Sequence, residues 1–222
     1  MDSRNPNLRY QDFVISDGKL IGDFEGMYSQ VDDPWGQSRI ENLLCSRKQI
    51  AIRRIAELNI KYGGLKVLDV ICGFGFMVDK LREMEIESYG IDISPTAIDK
   101  ARKQHPLSRF LVSDYNNFEI YNQFNPDVVI MSELTWYVLD SLDKYLLDLK
   151  KYSATRSKPT FLVHLLATYK VGVQKYGSYK FTNYEEILKY FDLKYLESGF
   201  ITEFKTNDSD SQGTYFIAEL TN

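Results

Sequence analysis

Along this chain the spacing of apolar residues shifts between a helical and an extended period. Ile40, Leu43, Leu44, Ile50, Ile55 and Leu58 form an interrupted helical stripe. Ser38 is placed to cap it, with Glu41 three residues on completing a capping box, and Gly63-Gly64 is placed to end it. From there short apolar runs alternate with helical stretches. Strands are predicted at 67–71, 88–93, 110–112, 127–131 and 160–166. Helices are predicted through about Met84, from Ser94-Pro95 to about Gln104, from about Ser141 to Tyr152, and over 185–191 behind an Asn183 cap. Two late strands, 193–197 and 214–220, have no helix between them and predict an antiparallel edge hairpin. Short buried strands separated by helices imply an α/β fold, a mostly parallel sheet covered on both faces.

The N-terminal part is different. Residues 1–9 are polar and predict a mobile end, and 13–21 a short hairpin or extended arm. The stretch from Glu25 to Ser38 is rich in turn formers and holds Tyr28 and Trp35, which are expected to form a flap over the site. The division expected is an arm and cap over 1–37 and one domain over 38–222.

Composition narrows the function classes. In 222 residues, 44% hydrophobic and 14% aromatic, there is ample material for a core. A net charge of −4 with no basic run argues against nucleic acid as a partner. Cys45 and Cys72 are the only cysteines, in contexts without metal spacing, so neither a disulfide framework nor a metal site is expected, and a reducing cytoplasm is the natural setting. No signal-peptide pattern opens the chain, and no apolar stretch is long enough to span a membrane. Oligomeric state is not legible.

The chemistry concentrates at Val67-Leu68-Asp69-Val70-Ile71-Cys72-Gly73-Phe74-Gly75-Phe76, a strand running into a glycine loop that opens a helix. Glycines there let a ligand approach the backbone, and the helix start favours negative charge. A dinucleotide fingerprint requires a third glycine where Val78 stands, and Asp69 would repel a pyrophosphate. S-adenosylmethionine (SAM) instead presents an ammonium group and a sulfonium, which a carboxylate favours. Asp92, 23 residues after Asp69, ends the second strand, where a carboxylate can accept from two ribose hydroxyls. Asp114 follows the third strand, within reach of an adenine amino group; a plain turn aspartate is its alternative.

With these residues in this order, 67–132 resembles the class I SAM-dependent methyltransferases. The resemblance implies a Rossmann-like seven-stranded sheet of order 3-2-1-4-5-7-6 with strand seven antiparallel. It also implies that Asp69, Gly73 and Gly75 border the methionine moiety, Asp92 the ribose and Asp114 the adenine. Ile71, Cys72, Ile93, Tyr115, Ser132 and Trp35 complete the expected cofactor set; Ile71 stands where the family has its first loop glycine, and its side chain narrows the pocket. Arg39 is weighed as a partner for the cofactor carboxylate, with a solvated helix charge the favoured reading.

The run from Asp127 to Val138 resembles the fourth-strand motif of small-molecule O-methyltransferases of quinone biosynthesis, with Trp136-Tyr137 where those carry Glu-His. Glu133 aligns with their preceding acid. Asp33-Pro34-Trp35 resembles nodulation N-methyltransferases that act on an amino sugar, and methyltransferases of bacterial surface-glycan synthesis. The expected function is therefore O- or N-methylation of a small polar acceptor, a sugar or nucleotide-linked sugar. The alternatives are a quinone or natural-product acceptor, a non-catalytic SAM-binding module, and an NAD-dependent oxidoreductase. His164, Tyr137 and Glu133 are the candidate catalytic residues; His164 ends near the strand edge facing the acceptor, with a buried core histidine as its alternative. Tyr169, Tyr176, Tyr179 and Phe181, near Gly172 and Gly177, offer either an aromatic acceptor surface or packing onto the sheet.

Overall fold

The computed structural model describes residues 8, 11–16, 18–169, 176–177, 179–203 and 211–220. The expectation for the first nine residues falls outside them apart from Leu8, as does that for Gly172. A seven-stranded sheet organises the molecule. Its strands are β3 (Lys66–Asp69), β4 (Glu87–Asp92), β5 (Arg109–Val112), β6 (Val128–Ser132), β7 (Phe161–Tyr169), β8 (Lys194–Glu203) and β9 (Ser211–Glu219). They lie in the order β5-β4-β3-β6-β7-β9-β8, and β9 runs antiparallel to both neighbours. Counted within this sheet alone, that is the expected order 3-2-1-4-5-7-6.

Helices cover both faces. On one side α4 (Ser46–Tyr62) and α5 (Phe76–Glu83) bury Ala51, Ile55, Met77 and Leu81 against Val67, Ile130 and Val163. On the other, α7 (Phe118–Phe124), α8 (Leu142–Ala154) and α9 (Tyr184–Phe191) bury Tyr121, Leu149 and Phe191 against Leu68, Val129 and Phe216. Each central strand therefore faces apolar side chains on both sides, which is why its sequence reads as a run rather than an alternation. α6 (Pro95–Gln104) follows β4 and is capped by Ser94 Oγ, which accepts from the Ala97 N–H at 3.0 Å.

Three expectations need correcting. The stripe from Ser38 is not one helix. It divides into α3 (Ile40–Leu43) and α4, with a non-helical Cys45 as the N-cap of α4 between them. Ile40 and Leu44 are 60% and 65% exposed, so neither packs into the core, and the N-cap of α3 is Arg39, not Ser38. The segment read as turns contains α2 (Phe24–Gln30), whose start is fixed by Asp23 Oδ1 accepting from the Gly26 N–H at 2.9 Å. Before it, α1 (Gln11–Val14) leads into a two-residue ladder of β1 (Ile15–Ser16) with β2 (Lys19–Leu20), a smaller hairpin than the pattern implied. α7 also had no counterpart among the expected elements.

This N-terminal region lies on the carboxyl ends of the central strands. Glu25 accepts from Ser94 Oγ (2.5 Å) and the Thr96 N–H (3.2 Å) at the start of α6. Lys100 donates to the carbonyls of Tyr28 and Asp32, both at 2.9 Å, at the end of α2. Both ends of the α2–α6 contact are thus fixed by groups that satisfy helix termini. Among the described residues no helix is long and apolar enough to cross a membrane.

Candidate active site

A cavity of about 890 Å³ opens where β3, β4, β5, β6 and β7 end, roofed by residues 22–48. Strand ends at a switch in sheet order are the usual binding position of such folds. Of the expected cofactor residues, Asp69, Ile71, Cys72, Asp92, Ile93, Asp114, Tyr115, Ser132 and Trp35 line it together.

Gly73 and Gly75 shape the loop rather than line the cavity. Both have positive φ, +52° and +83°. A side chain on Gly75 would collide with the Phe110 ring at 2.3 Å, and one on Gly73 with the Gln37 amide at 2.4 Å. Gln37 holds the loop directly. Its Oε1 accepts from the Phe74 N–H at 2.7 Å and its Nε2 donates to Tyr28 Oη at 3.3 Å. Asp33 in turn receives the Gln37 and Ser38 N–H groups at 2.6 and 2.9 Å. The cap is therefore hydrogen-bonded into the cofactor loop.

The two deepest carboxylates differ. Asp92 Oδ2 accepts from the Gly73 N–H and Oδ1 from the Ser94 N–H, each at 3.0 Å, so it ties the glycine loop to the start of α6. Burial still raises its pKa to about 6. Asp69 is 3% exposed, and its Oδ1 has no hydrogen-bond partner. Burial raises it to about 7, with Lys48 pulling the other way. A buried carboxylate oxygen without a donor is costly unless a ligand supplies one. Asp114 Oδ1 makes only a long contact, 3.4 Å, with the Asn116 N–H. Tyr115 is set by its hydroxyl's hydrogen bond with Ser141 Oγ at 2.7 Å. Burial pushes the Cys72 thiol well above its usual pKa.

The candidate catalytic residues separate. Tyr137 lines the cavity between Phe24, edge-on at 5.2 Å, and Trp35 at 5.9 Å. Glu133 also lines it, with backbone φ of +60°, an unusual conformation for a residue with a side chain. Its Oε1 receives the Arg47 guanidinium at 2.6 Å and its Oε2 the Ala167 N–H at 2.9 Å.

His164 is a correction. It is fully buried in β7 and absent from the cavity wall. Its Nε2 hydrogen-bonds with Thr135 Oγ1 at 2.7 Å, and the ring stacks on Phe216 at 4.6 Å. Burial drops its pKa to about 3. A neutral imidazole sealed in the core has no path to an acceptor's proton, so His164 is not a base here.

Trp136 lines the wall with its indole N–H bound to the Ala167 carbonyl at 2.8 Å. Of the aromatic loop, Tyr176 and Phe181 are buried in the core and Tyr179 is 74% exposed, so packing rather than acceptor contact accounts for the first two. Arg39 is exposed and does not line the cavity. Sequence reasoning missed Gln37, Phe24, Arg47 and Lys48. Gln37 sat within an apparent turn, and Arg47-Lys48 resembled ordinary solvated helix charges. Only the break at Cys45, which aims the first turn of α4 inward, could have distinguished them.

Residues 67–152 match the model of a methyltransferase domain. No curated protein matches the chain in a sequence search. Several solved structures share the fold. The N-methyltransferase NodS from Bradyrhizobium japonicum WM9, in complex with S-adenosyl-L-homocysteine, is 16% identical with a TM-score of 0.57, over 84% of this chain and 92% of that one. Magnesium protoporphyrin IX methyltransferase (ChlM) from Synechocystis PCC 6803, with bound SAM, is 14% identical with a TM-score of 0.55, over 88% and 94%. TehB from Haemophilus influenzae is 15% identical with a TM-score of 0.54, over 75% of this chain; the match spans 61% of TehB's own length. Residues 67–152 thus match an enzyme domain that transfers methyl groups, and one structure sharing the fold holds the methyl donor SAM. The cavity's residues fit that donor: it brings an ammonium group to a site where Asp69 Oδ1 lacks a donor.

Proposed function

We propose that this protein transfers a methyl group from SAM to a hydroxyl or amino group of a small polar acceptor, a sugar or nucleotide-linked sugar being the favoured class. In this reading residues 1–37 cap a catalytic domain formed by 38–222. One observation carries the acceptor class. Beside the cofactor end, Tyr137 stands in an aromatic wall with Phe24 and Trp35, while Arg47, Lys48, Asn42 and Glu133 line the same cavity. A sugar ring presents C–H faces to aromatic rings and hydroxyls to polar groups, and this wall offers both. NodS, a neighbour in fold, is by its name an N-methyltransferase.

The donor supplies an already activated methyl group on a sulfonium. The chain's work is then to position and to exclude water. Asp69 receives the donor's ammonium, Asp92 its ribose hydroxyls and Asp114 its adenine amino group. Ile71, Cys72, Ile93, Tyr115 and Ser132 pack around it. Tyr137 orients the acceptor. Glu133, held by Arg47 and the Ala167 N–H, is the carboxylate best placed to take a proton from a hydroxyl acceptor. An amine acceptor needs only to arrive neutral.

The test is production of S-adenosylhomocysteine from SAM across panels of free, amino and nucleotide-linked sugars, with phenols and quinols for comparison. Turnover restricted to the aromatic panel would replace the sugar reading. No turnover with any acceptor, with SAM still bound, would support a binding module.

A further inference from the structure

Three inclined aromatic rings and one carboxylate line the cavity together. Tyr137 stands edge-on to Phe24, the ring planes 78° apart and the centres 5.2 Å apart. It is inclined by 47° to Trp35, whose centre lies 5.9 Å away. Phe24 and Trp35 belong to the cap, so the group closes between the cap and the end of β6. Glu133 lies four residues before Tyr137, ahead of the short helical turn Thr135–Tyr137, and lines the same cavity. Rings inclined to one another offer no single flat surface for stacking. They present faces and edges around a small volume, which suits a compact cation such as an alkylammonium group.

Both oxygens of Glu133 already accept, Oε1 from Arg47 at 2.6 Å and Oε2 from the Ala167 N–H at 2.9 Å. A carboxylate has about four acceptor positions, and this side chain is 38% exposed, so it can accept further from a ligand. Receiving a proton is less favourable. It would set a neutral acid beside the Arg47 guanidinium, whose side chain is only 9% exposed. The two histidines of the chain lie outside the cavity lining, His164 sealed in β7 and His105 at the end of α6. A hydroxyl acceptor benefits from a base, whereas a neutral amine attacks with its own lone pair.

We propose that the acceptor atom is an amine nitrogen, and that Glu133 with the rings of Phe24, Trp35 and Tyr137 forms the site for the alkylammonium group it becomes. This rests on the methyl-transfer reading above and narrows it. The nitrogen lone pair forms a bond to the donor's methyl carbon. The carbon–sulfur bond breaks, and its electron pair stays on sulfur as the neutral thioether of S-adenosylhomocysteine. Positive charge thereby passes from sulfur to nitrogen, and a primary or secondary amine later gives up one proton to solvent. The rings and the carboxylate favour that charge where it arrives. Glu133 stays ionised throughout, so its pair with Arg47 is undisturbed. An amino sugar meets both demands of the wall, with C–H faces for the rings and a nitrogen for the carboxylate.

The experiment is titration calorimetry of the full chain, saturated with S-adenosylhomocysteine, against choline and against 3,3-dimethylbutan-1-ol, its uncharged isostere. Choline should bind on the order of tenfold more tightly. The preference should largely disappear in Glu133→Gln and in Trp35→Leu, folding being checked by circular dichroism. Trp35→Leu lies outside the Arg47 pair and carries the comparison if the glutamine variant does not fold. Equal affinity for the two probes, or no binding of choline, would overturn the inference. So would variants that weaken both probes alike, which would make these residues supports of pocket shape. In parallel, SAM turnover is followed with glucosamine against glucose and with benzylamine against benzyl alcohol. Glucosamine should be methylated and glucose should not. Equal turnover of glucose would overturn the amine assignment and leave the sugar class standing. Turnover of benzylamine alone would uphold the amine and replace the sugar class. Wild type that fails to bind S-adenosylhomocysteine would overturn methyl transfer itself, and the inference with it.

Discussion

Arg47, buried at the start of α4, donates to Glu133, whose backbone is held left-handed just beyond β6, across 2.6 Å. The pair ties the cap side of the cavity to the strand ends beneath it. Its guanidinium also lies where a side chain on Gly213 of β9 would stand, 2.4 Å from Nε. Removing Glu133's charge weakens this contact to the buried guanidinium. Because Glu133 is 38% exposed, the cost is discounted from that of a fully buried pair, and Glu133→Gln should lose about 1–2 kcal/mol of stability. Urea denaturation of the two proteins measures it. An unchanged midpoint would mean that solvent replaces the pair without loss.

Gly213→Ala reaches the same pair from β9. The new methyl group displaces the Arg47 side chain, so the variant should lose about 1–3 kcal/mol through overpacking. Combined with Arg47→Ala the penalty should largely vanish, because the collision is gone. Additive losses in the double variant would show that Gly213 matters for another reason.

In the proposed reading Asp69 and Asp92 make cofactor affinity depend on pH. Without ligand they hold their protons to about 7 and about 6, above the value for a solvated aspartate. The donor's ammonium requires Asp69 ionised, so binding releases a proton at mildly acid pH. Affinity for S-adenosylhomocysteine should therefore weaken roughly fivefold from pH 7 to pH 6 as Asp69 protonates. Asp69→Asn should bind more weakly and lose most of that dependence. For stability of the ligand-free protein the sign is opposite to that of an ion-paired carboxylate. A raised folded pKa favours the folded state at acid pH, and that gain is lost as pH rises from about 4 toward 7. A variant retaining the full pH dependence would remove Asp69 from the binding equilibrium.

Asp92 carries two duties, and its variants should show both. Asp92→Ala removes the acceptor for the Gly73 and Ser94 N–H groups, and in the proposed reading the contact with the donor's ribose as well. Cofactor affinity should fall by about 1.5–3 kcal/mol, and thermal stability should fall too, since two buried donors are left unsatisfied. Asp92→Asn, with one side-chain oxygen left to accept, should be intermediate. Affinity loss at wild-type Tm would contradict the tie between loop and helix.

His164 should matter for folding and not for proton transfer. Its folded pKa, about 3, lies below that of a solvated histidine, so it contributes fully above about 6.5. That contribution declines as pH falls from there toward 3, because the unfolded chain takes up the proton first. His164→Asn should flatten this part of the stability profile and leave the pH profile of turnover in place. A lost kinetic pKa with unchanged stability would return the imidazole to the reaction.

The cap should respond to ligand. Gln37, Tyr28 and Trp35 roof the cavity, and Gln37 grips the loop that shapes it. Limited proteolysis should cut 25–38 more slowly with S-adenosylhomocysteine bound, as expected where ligand closes a covering segment. Gln37→Ala should remove most of that protection. Equal cutting of wild type with and without ligand would make the segment ordinary packing.

The sequence by itself determined the sheet and the line of acids along its edge. Continuous apolar runs between helical stretches admit few arrangements, and Asp69, Asp92 and Asp114 are fixed by where strands end. Strand ends are a local matter, set by the change of period and by glycine, so position along the chain translates directly into position at the cavity. What the tertiary structure alone decided lies on the other side of that cavity. Whether Lys48 lies in solvent or lines the cavity depends on a break at Cys45 that the apolar stripe from Ile40 to Leu58 conceals. Whether His164 is a base or a core residue depends on where its ring lies along β7. A strand that ends at an active site and one that passes through a core carry the same run of apolar neighbours, and only the packing of Phe191 and Phe216 over the ring tells them apart. Local periodicity encodes an element and its buried face. It does not encode which distant segment closes over that face, because that depends on contacts between residues far apart in the chain.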